Sequence, residues 1–188
     1  MIKLAAIIST CIIGTTLAFF YYTGMFDHME ITRESRGPYC LVYREYRGPH
    51  KGTRYMMNTV YRYVRDSLQL STGTGFTVFY DNRRQKPDRL IRSISGVVVA
   101  DSITVPSSCK SWLFKRCDAV VGRFRLRSFF SYAIGSYRFY SQLAGVVEKK
   151  HLEYAGPVLE LYDMPAKTIW YIAPVGRGTE LFPEFGGE

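Results

Sequence analysis

The chain has 188 residues, 47% hydrophobic and 15% aromatic, which suits one packed domain of about 150 residues with an appendage and excludes an intrinsically disordered chain. With 25 Lys and Arg against 16 Asp and Glu, its formal charge is +9, which draws it toward anionic surfaces. Four Cys and three scattered His, without Cys-x-x-Cys or His-x-x-x-His spacing, leave a metal site unsupported, and no Gly-x-Ser-x-Gly or Gly-Lys-Ser/Thr motif marks nucleophilic or nucleotide chemistry.

From Leu4 to Tyr22, "LAAIISTCIIGTTLAFFYY" runs 19 residues without a charge. As a helix it would measure roughly 28 Å, close to the hydrocarbon thickness of a bilayer. Its end, Phe19, Phe20, Tyr21 and Tyr22, has the aromatic character of a lipid boundary. Residues 1–24 therefore read as a single-pass membrane anchor. A cleaved signal peptide is the alternative, because Lys3 precedes the run and Thr16-Leu17-Ala18 is a passable cleavage site; that would make the protein secreted or lumenal. Asn58 and Asn82 both miss the glycosylation pattern, and Cys40, Cys109 and Cys117 form an odd set beyond the run, so a cytosol-facing domain is expected.

Residues 25–175 read as the folded domain and 176–188 as a short tail. After the anchor, "MEITRESRGPYCLVYREYRGPH" alternates around Gly37-Pro38 as extended chain broken by a turn. Met56, Met57, Val60, Tyr61, Val64 and Leu68 then recur at helical spacing. Thr77 to Tyr80 and Arg89 to Ala100 predict two strands around the polar turn "DNRRQKPD". The stretch 101–116 is expected to cross over to a second half. There, "CDAVVGRFRLRS" alternates as a strand, and Phe130, Ile134, Tyr137, Ala144 and Val147 mark a helix closing on Lys149 and Lys150. "GPVLELYD" and "TIWYIAPV" supply the last two strands.

Tyr80-Asp81 and Tyr162-Asp163 stand 82 positions apart, each closing an apolar strand before a turn with Pro and Lys. Strand, helix, strand, strand is thus expected twice. Merged, the two modules predict an α+β domain: one antiparallel sheet with two helices on one face and a concave, helix-free surface on the other.

"YREYRGPHKG", "FYDN" followed by Pro87 and Arg92, and "LELYD" with "YIAPV" resemble the GyrI-like domain, the effector-binding domain of bacterial multidrug-sensing regulators. With the apolar N-terminal run ahead of it, the chain also resembles the testis-expressed protein 264-like family of single-pass endoplasmic reticulum proteins. That second resemblance implies an endoplasmic reticulum location with the domain in the cytosol, and autophagy partners for a selective-autophagy (ER-phagy) receptor. The family's autophagy activity depends on a long acidic tail with an aromatic-x-x-aliphatic motif, whereas "GRGTELFPEFGGE" follows Val175 here. Matches at Tyr39 to Val42, Tyr61 to Val64 and Tyr140 to Leu143 fall inside predicted strands or helices, where they are unavailable to a partner's sheet edge.

Where the first half has Val78, the second has Glu160. Alternation puts Glu160 on the face of Val158 and Tyr162, away from Leu159 and Leu161, and the expectation is the concave face. The resemblance places the matching acid in a ligand pocket. The expected binding set is Glu160, Tyr162, Trp170 and Tyr80, for a small cationic or aromatic ligand, with no cofactor and no metal. Pairing of Glu160 with a nearby Arg or Lys is the bland alternative, and a GyrI-like hydrolase using Glu160 the enzymatic one. The clusters Arg83-Arg84-Lys86-Arg89-Arg92 and Arg123-Arg125-Arg127 read as solvated faces, with phosphate headgroups ahead of nucleic acid as ligands.

Overall fold

A computed structural model describes residues 2–81, 86–101, 105, 108–154, 156–176 and 181–186. In chain order the elements are α1 (Ile2–Thr23), β1 (Glu30–Arg36), β2 (Tyr39–Arg47), α2 (Lys51–Asp66), β3 (Thr74–Phe79), a 3-10 turn (Asp88–Leu90), β4 (Arg92–Val99), β5 (Lys110–Phe114), β6 (Cys117–Arg125), α3 (Phe130–Lys149), β7 (Leu159–Asp163) and β8 (Thr168–Pro174).

All eight strands join one sheet in the order β1-β6-β8-β7-β3-β4-β2-β5, every pairing antiparallel. The centre is β7 against β3, with Leu161 opposite Phe76. On either side stand β8 and β6, and β4 and β2, so the two halves are mirrored in strand order. The leading strand of each half crosses over: β1 pairs with β6 of the second half, and β5 pairs with β2 of the first. The turn at Gly37-Pro38 meets the one at Lys115-Arg116, where Arg116 Nε donates to Gly37 O at 3.2 Å. Strand β5 lies inside the stretch expected to be only a crossover; its five residues are too short for alternation to stand out from the surrounding polar chain.

Both α2 and α3 cover the same sheet face. Val60 and Val64 of α2 pack on Val42, Val97 and Val99; Phe139 and Leu143 of α3 pack on Val120, Phe124, Ile169, Tyr171 and Ala173. The buried stripe of α3 is Ser131, Gly135, Phe139 and Leu143, whereas Phe130 and Tyr137 from the expected stripe are exposed. Small residues make the difference, since a Cβ on Gly135 would sit 2.6 Å from the Tyr171 hydroxyl. The opposite face carries Leu41, Tyr43, Phe76, Val78, Ile94, Phe114, Leu159, Leu161 and Ile172.

The expected transmembrane helix is corrected. Residues 2–23 are helical, but among the described residues no helix is long and apolar enough to cross a membrane. Ser9, Thr10, Gly14, Thr15 and Thr16 interrupt the apolar side chains; Thr15 and Thr16 turn their hydroxyls back to the carbonyls of Cys11 and Ile12. This helix touches the domain where Phe19 meets Phe130 edge-on at 5.7 Å and Arg127 lies over Tyr21.

Candidate functional site

On the helical face, α2 rides on β2, β3 and β4 while α3 rides on β6 and β8. The central strand β7 therefore runs along a furrow between the helices, and Glu160 is its buried acid, 2% exposed. Neighbouring strands set Thr77 and Tyr171 directly opposite Glu160 on the same face. Its Oε2 accepts from the Tyr162 hydroxyl at 2.8 Å and its Oε1 from the Tyr140 hydroxyl of α3 at 3.1 Å. Around them, Tyr132 packs edge-on against Tyr162 at 5.4 Å, Phe139 stacks on Tyr171 at 5.1 Å, and Ser136 lies 3.5 Å from the Tyr171 hydroxyl. Thr77 and Ser95 continue the polar contacts under α2, 3.1 Å apart.

Burial, and then the nearby Glu160 charge, holds the hydroxyls of Tyr140, Tyr162 and Tyr171 well above the ordinary phenol range. Tyr140 and Tyr162 are therefore fixed as neutral donors to the carboxylate, while the Tyr171 hydroxyl lies beside Ser136. Met57 of α2 reaches the same cluster, and Arg54 of α2 acts electrostatically on Tyr132 of α3, which places a cation at the furrow's rim. The site is an acid ringed by phenols, a combination whose charge and ring faces suit an organic cation.

The expected set is divided by the structure. Glu160 and Tyr162 stand together, but on the helix-covered face rather than the concave one. Tyr80 and Trp170 belong to the opposite face. Trp170 lies between the guanidiniums of Arg36 and Arg123, at 4.1 and 5.4 Å, and Tyr80 donates to Pro183 O at 2.7 Å. The error came from parity. Because Phe76 opposes Leu161 on one face, equivalence between β3 and β7 requires an odd offset, and the even offset of 82 exchanges the faces. Tyr140, the missed partner of Glu160, lies on the helix at a position that sequence spacing does not connect to a strand.

Several of the remaining candidates have structural partners. Asp81 is gripped by Arg92 and Lys86, at 2.9 and 2.6 Å, while Asp163 Oδ1 accepts from Ala166 N in the β7–β8 turn at 3.0 Å. Arg83 and Arg84 lie outside the described residues. Arg123 and Arg125 are exposed on β6, and Arg127 pairs with Asp27 at 2.7 Å. The three aromatic-x-x-aliphatic stretches sit in β2, α2 and α3. Among the described residues no group of three or more His, Cys, Asp or Glu is placed to hold a metal.

No family model and no curated protein matches the chain. The expected tie to the testis-expressed protein 264-like family, with its autophagy partners, therefore has no support. Solved structures do match. The C-terminal domain of EcmrR superposes with a TM-score of 0.61 at 11% identity, covering 79% of this chain and 98% of that one. EcmrR in its DNA-bound transcription complex gives 0.59 at 11% identity, over 92% of this chain and 68% of that one. A hydrolase from Listeria innocua gives 0.52 at 11% identity, over 84% and 98%. At such identities the likeness speaks for the backbone alone: this chain shares the fold of these domains.

Proposed function

We propose that the protein is a small-molecule-binding module that receives an aromatic cation in the furrow between α2 and α3. The single observation that carries this reading is Glu160, a carboxylate 2% exposed at the centre of the sheet, whose hydrogen bonds come from Tyr140 and Tyr162. A ligand cation would be drawn to the Glu160 carboxylate by charge, with the neighbouring phenol rings adding their faces. The fold shared with the EcmrR C-terminal domain agrees with the resemblance of the sequence motifs to an effector-binding domain.

The likeness to a hydrolase favours a second reading, in which Glu160 acts as a general acid or base on a bound electrophile. Cys117 does not supply a nucleophile, because burial pushes its thiol up to about 11.

Titration calorimetry of wild type and Glu160→Gln against a panel of aromatic cations tests the first reading. Loss of one charge with shape retained is expected to cost about 1.5–3 kcal/mol, roughly ten- to a hundred-fold in affinity. Equal binding by both proteins, or none by wild type, overturns it. Activated esters turned over by wild type and spared by Glu160→Gln would establish the hydrolase instead.

A further inference from the structure

The helix-free face, the one expected to be concave, is covered by the chain's own residues 181–185, Leu-Phe-Pro-Glu-Phe. Phe182, 7% exposed, seats its ring 5.4 Å from Phe114. Phe185 meets Tyr80 at 5.9 Å beneath the guanidiniums of Arg47 and Arg92, at 5.8 and 5.9 Å. Between the two rings, Pro183 is buried and Glu184 points to solvent. The main chain is held by side-chain donors: Trp112 Nε1 to Leu181 O at 3.0 Å and the Tyr80 hydroxyl to Pro183 O at 2.7 Å. Burial raises the Tyr80 phenol above its ordinary range, which keeps it a donor.

Two aromatic sockets astride a proline, with indole and phenol donors reading the carbonyls of Leu181 and Pro183, form the pattern by which a groove holds a peptide. These contacts depend on the segment's own chemistry and not on its continuity with β8, which ends at Pro174. Arg47 and Arg92 select a ring at the last position.

We propose that the helix-free face is a peptide-binding site, filled here in cis by 181–185, which takes in trans a peptide of aromatic-Pro-x-aromatic chemistry when that segment is released. It stands apart from the Glu160 furrow, because alternation along β7 sends Leu159 and Leu161 to one face and Glu160 to the other. The tethered segment competes at an effective concentration on the order of millimolar, so release governs access.

The test uses the full chain and a fluorescent Leu-Phe-Pro-Glu-Phe peptide, read by anisotropy. Phe182→Ala/Phe185→Ala is expected to bind the peptide at least tenfold more tightly than wild type. Both tryptophans of the chain flank this face, so peptide addition is also expected to shift the variant's tryptophan emission to the blue. Adding Trp112→Phe, which keeps a ring and removes the donor, should weaken binding about fivefold. If the double variant does not fold, Phe185→Ala, which removes only the half-buried ring, carries the same comparison. A folded variant that ignores the peptide, equal binding by variant and wild type, or competition by an aromatic cation overturns the proposal.

Discussion

Asp81 and Glu160 are both buried carboxylates, and they differ in who donates to them. Arg92 grips Asp81 with Nε and Nη2 and with its backbone N–H, and Lys86 completes the set. Chiefly through the Arg92 side chain, this holds the Asp81 carboxyl far below the usual carboxylate range. Because the folded-state value is the depressed one, the stabilisation is fully present above the unfolded value of about 4 and is lost as pH falls toward the folded one. Asp81→Asn is therefore expected to lose about 1.5–3 kcal/mol at pH 7 and to flatten the acid limb of the stability profile, measured by urea denaturation from pH 7 to pH 3. A variant with the wild-type acid limb would remove Asp81 from that role. Around Glu160 the sign is reversed. Tyr140, Tyr162 and Tyr171 are raised in the folded state, so their contribution is intact below the unfolded phenol value of about 10 and is lost as pH rises beyond it. Absorbance at 295 nm should show at least three of the chain's 15 tyrosines ionising only together with alkaline unfolding, and ionisation of all 15 in the folded chain would contradict it. Sequence alone singled out Glu160 as a site acid, and Asp81 only as half of a repeated pair. It could not assign their neighbours, because Arg92 follows Asp81 across a turn and Tyr140 reaches Glu160 from a helix.

At the scale of elements, alternation and helical spacing were legible wherever large side chains carried them, and they misled where small ones did. On α3 the buried stripe passes through Ser131 and Gly135 because the helix lies close to Phe124 and Tyr171. Spacing of bulky residues pointed instead to Phe130 and Tyr137, which the structure leaves in the open. Strand β4 carries a similar demand at Gly96, set between Tyr43 of β2 and Phe76 of β3. A methyl group there would overlap the backbone of Val42 and Tyr43, which cannot move without disturbing the β2–β4 ladder. Gly96→Ala is expected to cost about 3 kcal/mol, at the upper end of ordinary overpacking, read as a lower urea midpoint at unchanged slope. A midpoint within error of wild type would show that the strand yields more than this contact allows.

Across the whole molecule, duplication was visible in the order strand, helix, strand, strand, whereas the exchange of leading strands was not, since pairing across the halves leaves no local pattern. That exchange has a consequence for how the chain comes into being. Strand β1 leaves the ribosome before any other strand, yet its partners on β6 lie 81 to 93 residues further along. Until those residues are made, β1 has no ladder to join, and neither has the outer edge of β2 that awaits β5. Such distant pairings delay closure and give slow folding relative to local ones. They also leave open strand edges on the nascent chain, the kind of surface that invites mispairing and chaperone engagement. Folding during synthesis therefore cannot proceed half by half: the first module is complete as sequence well before it can be complete as structure, and the sheet closes only when the second module arrives.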